Sequence, residues 1–248
     1  VKQLRTGVEP RLLVLLNYLL IQEDFFIIGG MNMLSLHYIS QILPSLLVGT
    51  TMTLKIFCWT LIGALPLGMI FGLGLVSNIK LVKYFLNFYV WLMRGTPLLL
   101  QLIFVFYGLP IVGIVFQRYD AALFAFILNY SAYFAEIFRG GLQSVDRGQY
   151  EAAKVLRLSY WQTIRKIVIP QVAKIVLPSI GNEVINLVKD SSLVYVIGIG
   201  DLLRAGNVAS ARDVTLIPLL LVGVIYLLLT AVCTYVLRRV EKHYAYWR

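Results

Sequence analysis

Five stretches of this chain, at about residues 56–76, 97–116, 121–138, 175–199 and 215–237, are predominantly apolar over about 20 residues each. That is the length that roughly 30 Å of bilayer hydrocarbon demands of an α-helix. Lipid offers the backbone no hydrogen-bond partner, so segments of this kind cross only as helices. Composition points the same way: 59% of the 248 residues are hydrophobic and 14% charged, with a mean hydropathy of +0.81, against about 45–50% apolar in soluble domains. The sequence therefore predicts an all-α integral membrane protein with five transmembrane helices. Cys58 and Cys233 each lie inside an apolar run, which suits reduced packing residues and not a disulfide framework.

The formal charge of +10 is distributed by topology. Lys80, Lys83, Arg94, Arg139, Arg147, Lys154, Arg157, Arg165, Lys166, Arg238, Arg239 and Lys242 all fall on one side of a five-span arrangement, and Arg118, Arg204 and Arg212 on the other. Cytosolic loops carry the excess of Lys and Arg, which places the N-terminus outside and the C-terminus in the cytosol; Lys2, Arg5 and Arg11 oppose this mildly. The same distribution assigns the basic charge to membrane lipid and not to nucleic acid.

Within the first span, Gly68 and Gly72 form a small-xxx-small pair that admits a neighbouring helix, Pro66 is a tolerated kink site, and Lys55 snorkels at the outer edge. An aromatic-rich stretch, 84–93, is too short to span and reads as an interfacial helix. It leads into Arg94-Gly95-Thr96-Pro97, where Thr96 suits the N-cap and Pro97 the first turn of the second span. Residues 117–120 form a turn, so the third span runs antiparallel to the second and ends at Arg139-Gly140-Gly141.

Polar residues inside spans carry the functional argument. Asn129, Tyr133 and Glu136 recur at i, i+4 and i+7 and share a face of the third span; Asn182, Glu183, Asn186, Lys189 and Asp190 form a stripe on the fourth, continued by Ser191 and Ser192. An ionisable residue within the bilayer costs at least about 2.5–3.5 kcal/mol and faces a bundle interior or a wet pathway. The two stripes are expected to converge there, with Glu136 pairing Lys189 as the purely structural alternative. If the site holds a substrate, the excess of carboxylates favours a polar or cationic one. A loop with Asp201, Arg204, Arg212 and Asp213 precedes the last span.

Enzymatic chemistry finds no foothold. The chain has no Gly-x-x-x-x-Gly-Lys-(Ser or Thr) phosphate loop, His37 and His243 are too isolated for a metal site, and no Ser has a His base nearby.

Residues 151–170 remain: a basic, amphipathic segment, Glu-Ala-Ala-Lys-Val-Leu-Arg-Leu-Ser-Tyr-Trp-Gln-Thr-Ile-Arg-Lys-Ile-Val-Ile-Pro, set between apolar runs. Composition alone leaves two readings open, a helix lying on the membrane surface and a cytosolic docking element. The order of residues resembles the EAA loop of permease subunits of ATP-binding-cassette (ABC) importers, through Glu151, Ala152, Ala153, Ile167, Ile169 and Pro170. It departs at Arg157, where the family usually has Gly at the turn between two short helices, so the turn is expected to be built differently. Further motifs place residues 41–242 with the polar amino-acid subgroup: Arg94 to Leu98 with Gln101, Ala132 to Gly141, Gly148-Gln149, Gly181-Asn182-Glu183 and Lys189 to Leu193.

The resemblance implies a type I ABC importer permease in the bacterial cytoplasmic (inner) membrane, moving a polar amino acid, basic ones included. Its implied partners are two ABC ATPase subunits carrying ATP and Mg, a second permease subunit of the same or a related chain, and an extracytoplasmic amino-acid-binding protein. The docking residues are then Glu151, Ala152, Ala153, Val155, Leu156, Arg157 and Leu158, and the substrate pathway draws on Gln101, Asn129, Tyr133, Glu136, Asn182, Glu183, Asn186, Lys189, Asp190 and Ser191. By domain, 1–40 is an N-terminal extension (a mis-set start before Met31 or Met33, an interfacial helix or a fusion remnant), 41–242 the permease with its loop at about 143–172, and 243–248 a cytosolic tail. A secondary transporter is the alternative, but the five spans show no inverted repeat and such a transporter gives a docking loop no necessary role. A membrane anchor or assembly subunit would make the polar stripes interhelical glue.

Overall fold

Small residues set the central contact of the fold. Helix α1, Leu36–Val76, packs along α4, Arg118–Gln143. A Cβ added at Gly68 would lie 2.4 Å from Cβ of Phe134, and one at Gly72 2.7 Å from Cβ of Phe138. Any larger side chain at either position would push the helices apart. This computed structural model describes residues 36–244, whose regular structure is entirely helical.

Between α1 and α4 lies a broken element. Helix α2, Lys80–Gly95, is bent by 103° from the helical run Leu98–Val112, which comprises α3, Leu98–Ile103, a π-turn at Phe104–Gly108 and a 3-10 turn at Leu109–Val112. After α4 come α5, Arg147–Val155, and α6, Tyr160–Thr163. A π-turn at Ile164–Val168 joins α6 to α7, Ile169–Asp190, which tightens into a 3-10 turn at Ser191–Ile197. Helices α8, Leu202–Asp213, and α9, Ile217–Tyr244, complete the described chain. Among the described residues four helical stretches are long and apolar enough to cross a membrane, His37–Val76, Arg118–Gln143, Tyr160–Ile197 and Ile217–Lys242, and the bent pair, counted as one span, is a fifth.

The elements differ from expectation where polar residues hide a helix. The first span extends back from residue 56 to Leu36, with Lys55 exposed in mid-helix and not at its edge. Ser45, Thr50 and Thr51 dilute the hydropathy there, yet each hydroxyl donates to a carbonyl one turn back, at 2.7, 2.8 and 2.7 Å, so the helix satisfies them itself. Helix α4 runs past Arg139-Gly140-Gly141 to Gln143, and it begins at Arg118 inside the expected turn. Gly141 is a packing residue: a Cβ there would lie 2.3 Å from Val176 Cγ1. The expected loop after Asp201 is helix α8. Asp201 is its N-cap, accepting from the amides of Leu203 and Arg204 at 3.0 and 3.2 Å. Its first residue, Leu202, joins Leu46 and Val222 in a core cluster shared with α1 and α9.

Helix α2 turns Leu86 and Val90 into a core with Leu75, Ala132 and Ala135, and leaves Tyr84, Phe85, Phe88 and Trp91 exposed. The Tyr89 hydroxyl donates to Leu128 O at 2.5 Å and sits 2.7 Å from Ser131 Oγ, which docks α2 on α4. Cys58 and Cys233 are free thiols.

Candidate functional site

The break between α2 and α3 opens a cavity of about 620 Å³ against α4 and α7. Its wall takes Arg94 and Thr96 from the break, Asn129, Tyr130 and Tyr133 from α4, and Glu183, Asn186 and Asp190 from α7. On α7 these last three stand at i, i+3 and i+7, one helical face.

Side chains around the break hold one another. Asn129 Nδ2 donates to Met93 O and to Gln101 Oε1, both at 3.0 Å. Gln101 Nε2 donates to Met93 O at 2.9 Å and to Thr96 Oγ1 at 2.7 Å, while Thr96 Oγ1 donates back to Leu92 O at 2.8 Å. A helix break exposes carbonyls and amides that need partners, and Gln101 and Asn129 supply them. Thr96 therefore closes α2 and does not cap α3, whose N-cap is Pro97. On the opposite wall the Tyr130 hydroxyl donates to Asp190 Oδ2 at 2.7 Å. The Arg94 guanidinium lies over the Tyr133 ring, 5.4 Å from its centroid, with Nη1 3.7 Å from Glu136 Oε1.

At the far end of α4 the loop carries its own caps. Asp146 accepts from the Gly148 amide at 2.6 Å to start α5, and Ser159 and Gln162 form a reciprocal capping box that starts α6. Between them Leu158 N donates to Ala153 O and Arg157 N to Lys154 O, each at 3.0 Å. This is a Schellman ending, and Arg157 occupies its left-handed position with φ of 52°. The turn has the backbone that a Gly would take, with Arg in its place, so the expectation of a different build does not hold.

Comparison with known proteins decides what this architecture belongs to. The sequence profile of a family described as "Binding-protein-dependent transport system inner membrane component" matches residues 64–246. The chain belongs to this family. The permease is 38% identical over 202 residues to the arginine transport system permease protein ArtQ of Bacillus subtilis, covering 81% of this chain and 92% of that protein. It is 35% identical over 196 residues to a Rickettsia conorii protein named for glutamine transport, GlnP, covering 78% and 90%. Among solved structures, a crystal structure of an amino acid ABC transporter with histidines superposes with a TM-score of 0.78 at 33% identity, over 85% of this chain and 99% of that one. The MetNI methionine ABC transporter shares the fold at 18% identity, with a TM-score of 0.64 over 85% and 99% of the two chains. The permease is thus a transport component of an inner-membrane amino-acid ABC importer and not an enzyme, of a kind that works with ATPase and binding-protein partners.

The expected pathway residues divide into four groups. Asn129, Tyr133, Glu183, Asn186 and Asp190 line the cavity together. Gln101 stands behind it, bound to Asn129, and Ser191 is buried with its hydroxyl on Val188 O at 2.7 Å. Asn182 and Lys189 are exposed on the adjacent face of α7, away from the lining. Glu136 pairs with Arg139 and Arg94, so the expected pairing with Lys189 is not formed. Sequence reasoning left three of these polar wall residues out of the pathway: Arg94, Tyr130 and Thr96, the last of which was read only as an N-cap. Tyr130 is the immediate neighbour of Asn129, and a helical wheel centred on Asn129 and Tyr133 could have included it; Arg94 was read as a boundary charge because hydropathy cannot locate a bend.

In the loop after α4, Glu151, Ala152, Val155, Leu156 and Arg157, expected to dock an ATPase, are exposed and Leu158 is partly so, whereas Ala153 is buried. Helix α5 starts four residues before Glu151, so the dipole-favoured acidic residue at its N-terminus is Asp146.

Proposed function

We propose that the permease passes a cationic amino acid through the cavity between α3, α4 and α7, driven by an ATP- and Mg-binding ATPase seated on α5. The observation that carries this reading is the charge of the lining: one guanidinium, Arg94, against two carboxylates, Glu183 and Asp190. Arg94 suits the substrate's α-carboxylate, and the two carboxylates suit its α-ammonium and a cationic side chain, with Asn129 and Asn186 as neutral partners. A zwitterion without a side-chain charge leaves one carboxylate uncompensated, and an uncompensated charge in a partly desolvated site opposes binding. The naming of one relative for arginine transport supports this choice, and that of another for glutamine keeps the alternative specific.

A test uses the permease reconstituted with its ATPase and binding-protein partners. Losing a charge-assisted hydrogen bond costs about 1.5–3 kcal/mol, so Glu183→Gln and Asp190→Asn are each expected to cut arginine uptake about tenfold or more, and glutamine uptake less. Equal loss of both amino acids with normal ATP hydrolysis, or no loss, overturns cationic selectivity.

Docking on α5 places the loop and the C-terminus in the cytosol, in keeping with the Lys and Arg distribution. A Cys at Gln149 is then expected to resist an impermeant thiol reagent applied to intact cells, and labelling from outside would reverse the orientation.

A further inference from the structure

The guanidinium that faces the cavity shares its counter-ion. Glu136 Oε1 lies 3.7 Å from Arg94 Nη1, while Glu136 Oε2 accepts from Arg139 Nε at 2.9 Å, and Arg139 Nη2 also pairs with the same carboxylate. Arg139 Nη1 in turn donates to Gln143 Oε1 at 2.8 Å, at the last residue of α4. At 1.5 Å per residue, Glu136, Arg139 and Gln143 descend about 10 Å of helix from below Tyr133 to the end that bears the coupling loop. Two guanidinium groups therefore share one carboxylate, which is held in a fork by Arg139 and only loosely by Arg94. The pair to Arg94 is the exchangeable one, and a substrate carboxylate supplies the missing anion.

We propose that Glu136 is a positioning residue that competes with the substrate's α-carboxylate for Arg94, moves wholly onto Arg139 when substrate binds, and returns to displace the carboxylate toward the coupling-loop end. Arg94 and Arg139 then act as successive anion stations on the exit path. The inference rests on the reading of the cavity as an amino-acid site. Side chains in the Arg94–Glu136 pair are 42% and 27% exposed, and pairs of such exposure are worth up to about 1 kcal/mol. Removing or strengthening the competition is thus expected to change affinity about two- to fivefold.

The experiment measures equilibrium binding of L-arginine, and of agmatine, which lacks the carboxylate, to the detergent-solubilised permease–ATPase complex without binding protein. Glu136→Gln removes the competitor: the dissociation constant for L-arginine is expected to fall about two- to fivefold, and the maximal uptake rate in vesicles to fall because the carboxylate is no longer displaced. Arg139→Gln leaves Glu136 to Arg94 alone, so the same constant is expected to rise by a similar factor. Glu136→Asp should return toward wild type. Agmatine binding should stay within about twofold of wild type in all three, which also marks a folded site. Shifts in one direction for both neutral variants, or equal shifts for agmatine, overturn the proposal. L-arginine binding that is the same in wild type and in Glu183→Gln instead refutes the cavity reading, and this proposal with it.

Discussion

At the coupling-loop end, Val155, Leu156, Tyr160 and Trp161 keep between 69% and 83% of their surface exposed, while at the cavity Asn129, Gln101, Thr96 and Tyr130 all have polar atoms engaged by neighbouring groups. The first region leaves apolar surface uncovered, yet its backbone is closed by three local devices, the Asp146 cap, the Schellman turn and the Ser159–Gln162 box. It is a rigid element with an unfinished surface. The cavity is the reverse, a break in a helix whose finish depends on side chains from α3, α4 and α7. A rigid, apolar knob suits transmission of movement from a protein partner. A polar wall with internally balanced hydrogen bonds suits a ligand that makes and then releases charge-assisted contacts.

The comparison breaks most readily at Ala153, which is 2% exposed beneath the loop. A carboxylate buried there without a partner costs about 3 kcal/mol or more. Ala153→Asp is expected to abolish uptake at normal membrane insertion, and Glu151→Lys, exposed on the same helix, to weaken ATPase association with a smaller loss. If the two regions are independent, L-arginine binding by the solubilised complex stays within about twofold of wild type in both variants. Full uptake by both would remove α5 from the coupling mechanism.

Polarity within a span made half of the cavity legible. Glu183, Asn186 and Asp190 had to avoid lipid, and helical spacing put them on one face. The same stripe also contained Asn182 and Lys189, which lie on the adjacent exposed face; a stripe this broad does not reveal which edge turns inward. Arg94 and the bend beside it were illegible as a site, because hydropathy averages over a window and a 103° break occupies two residues. Helix α8 was hidden for a related reason: its Arg204, Arg212 and Asp213 read as loop, although Asp201 supplied an ordinary N-cap signal. That α1 takes a close neighbour was legible from the spacing and size of Gly68 and Gly72, whereas which helix it is, α4, came only from the contacts with Phe134 and Phe138.

Asp201 sharpens the comparison, because it is a covered polar group at the end away from α5. Its side chain is fully buried between α1, α8 and α9, and that burial pushes its carboxyl from the ordinary 3.8 up to about 6, against the amide hydrogen bonds from Leu203 and Arg204 that favour the ionised form. A raised carboxyl means that the folded state keeps a proton the unfolded chain releases. This contribution to stability is therefore complete below pH 3.8 and lost as pH rises to about 6, a change on the order of 2–3 kcal/mol. Thermal unfolding of the purified complex should show Asp201→Asn flattening that decline between pH 4 and 6.5 while leaving L-arginine binding unchanged. A pH profile identical to wild type would mean that Asp201 ionises freely in the folded protein.

The smallest effect is expected at Arg157, and it asks whether the coupling loop is as rigid as its hydrogen bonds imply. With φ of 52°, Arg157 holds a backbone that side chains with a Cβ resist by about 1 kcal/mol and Gly adopts freely. Arg157→Gly therefore relieves strain in the folded turn, though it also enlarges the freedom of the unfolded chain, and the net gain is expected to be under about 1 kcal/mol. Arg157→Asn should fall between the two, since Asn tolerates the left-handed region, and Arg157→Val should lose about 1 kcal/mol or more because a β-branched residue does not. Hydrogen exchange at the Leu158 amide, whose bond to Ala153 O closes the turn, reports this order directly: slowest in Gly, then Asn, then wild type, then Val. The exposed guanidinium is lost in all three variants, so a backbone effect separates them from one another, whereas a charge effect on ATPase docking would move them together. Equal exchange rates across the series would show that the turn yields to whatever side chain it carries, and the coupling loop would then lack the stiffness that sets it apart from the cavity.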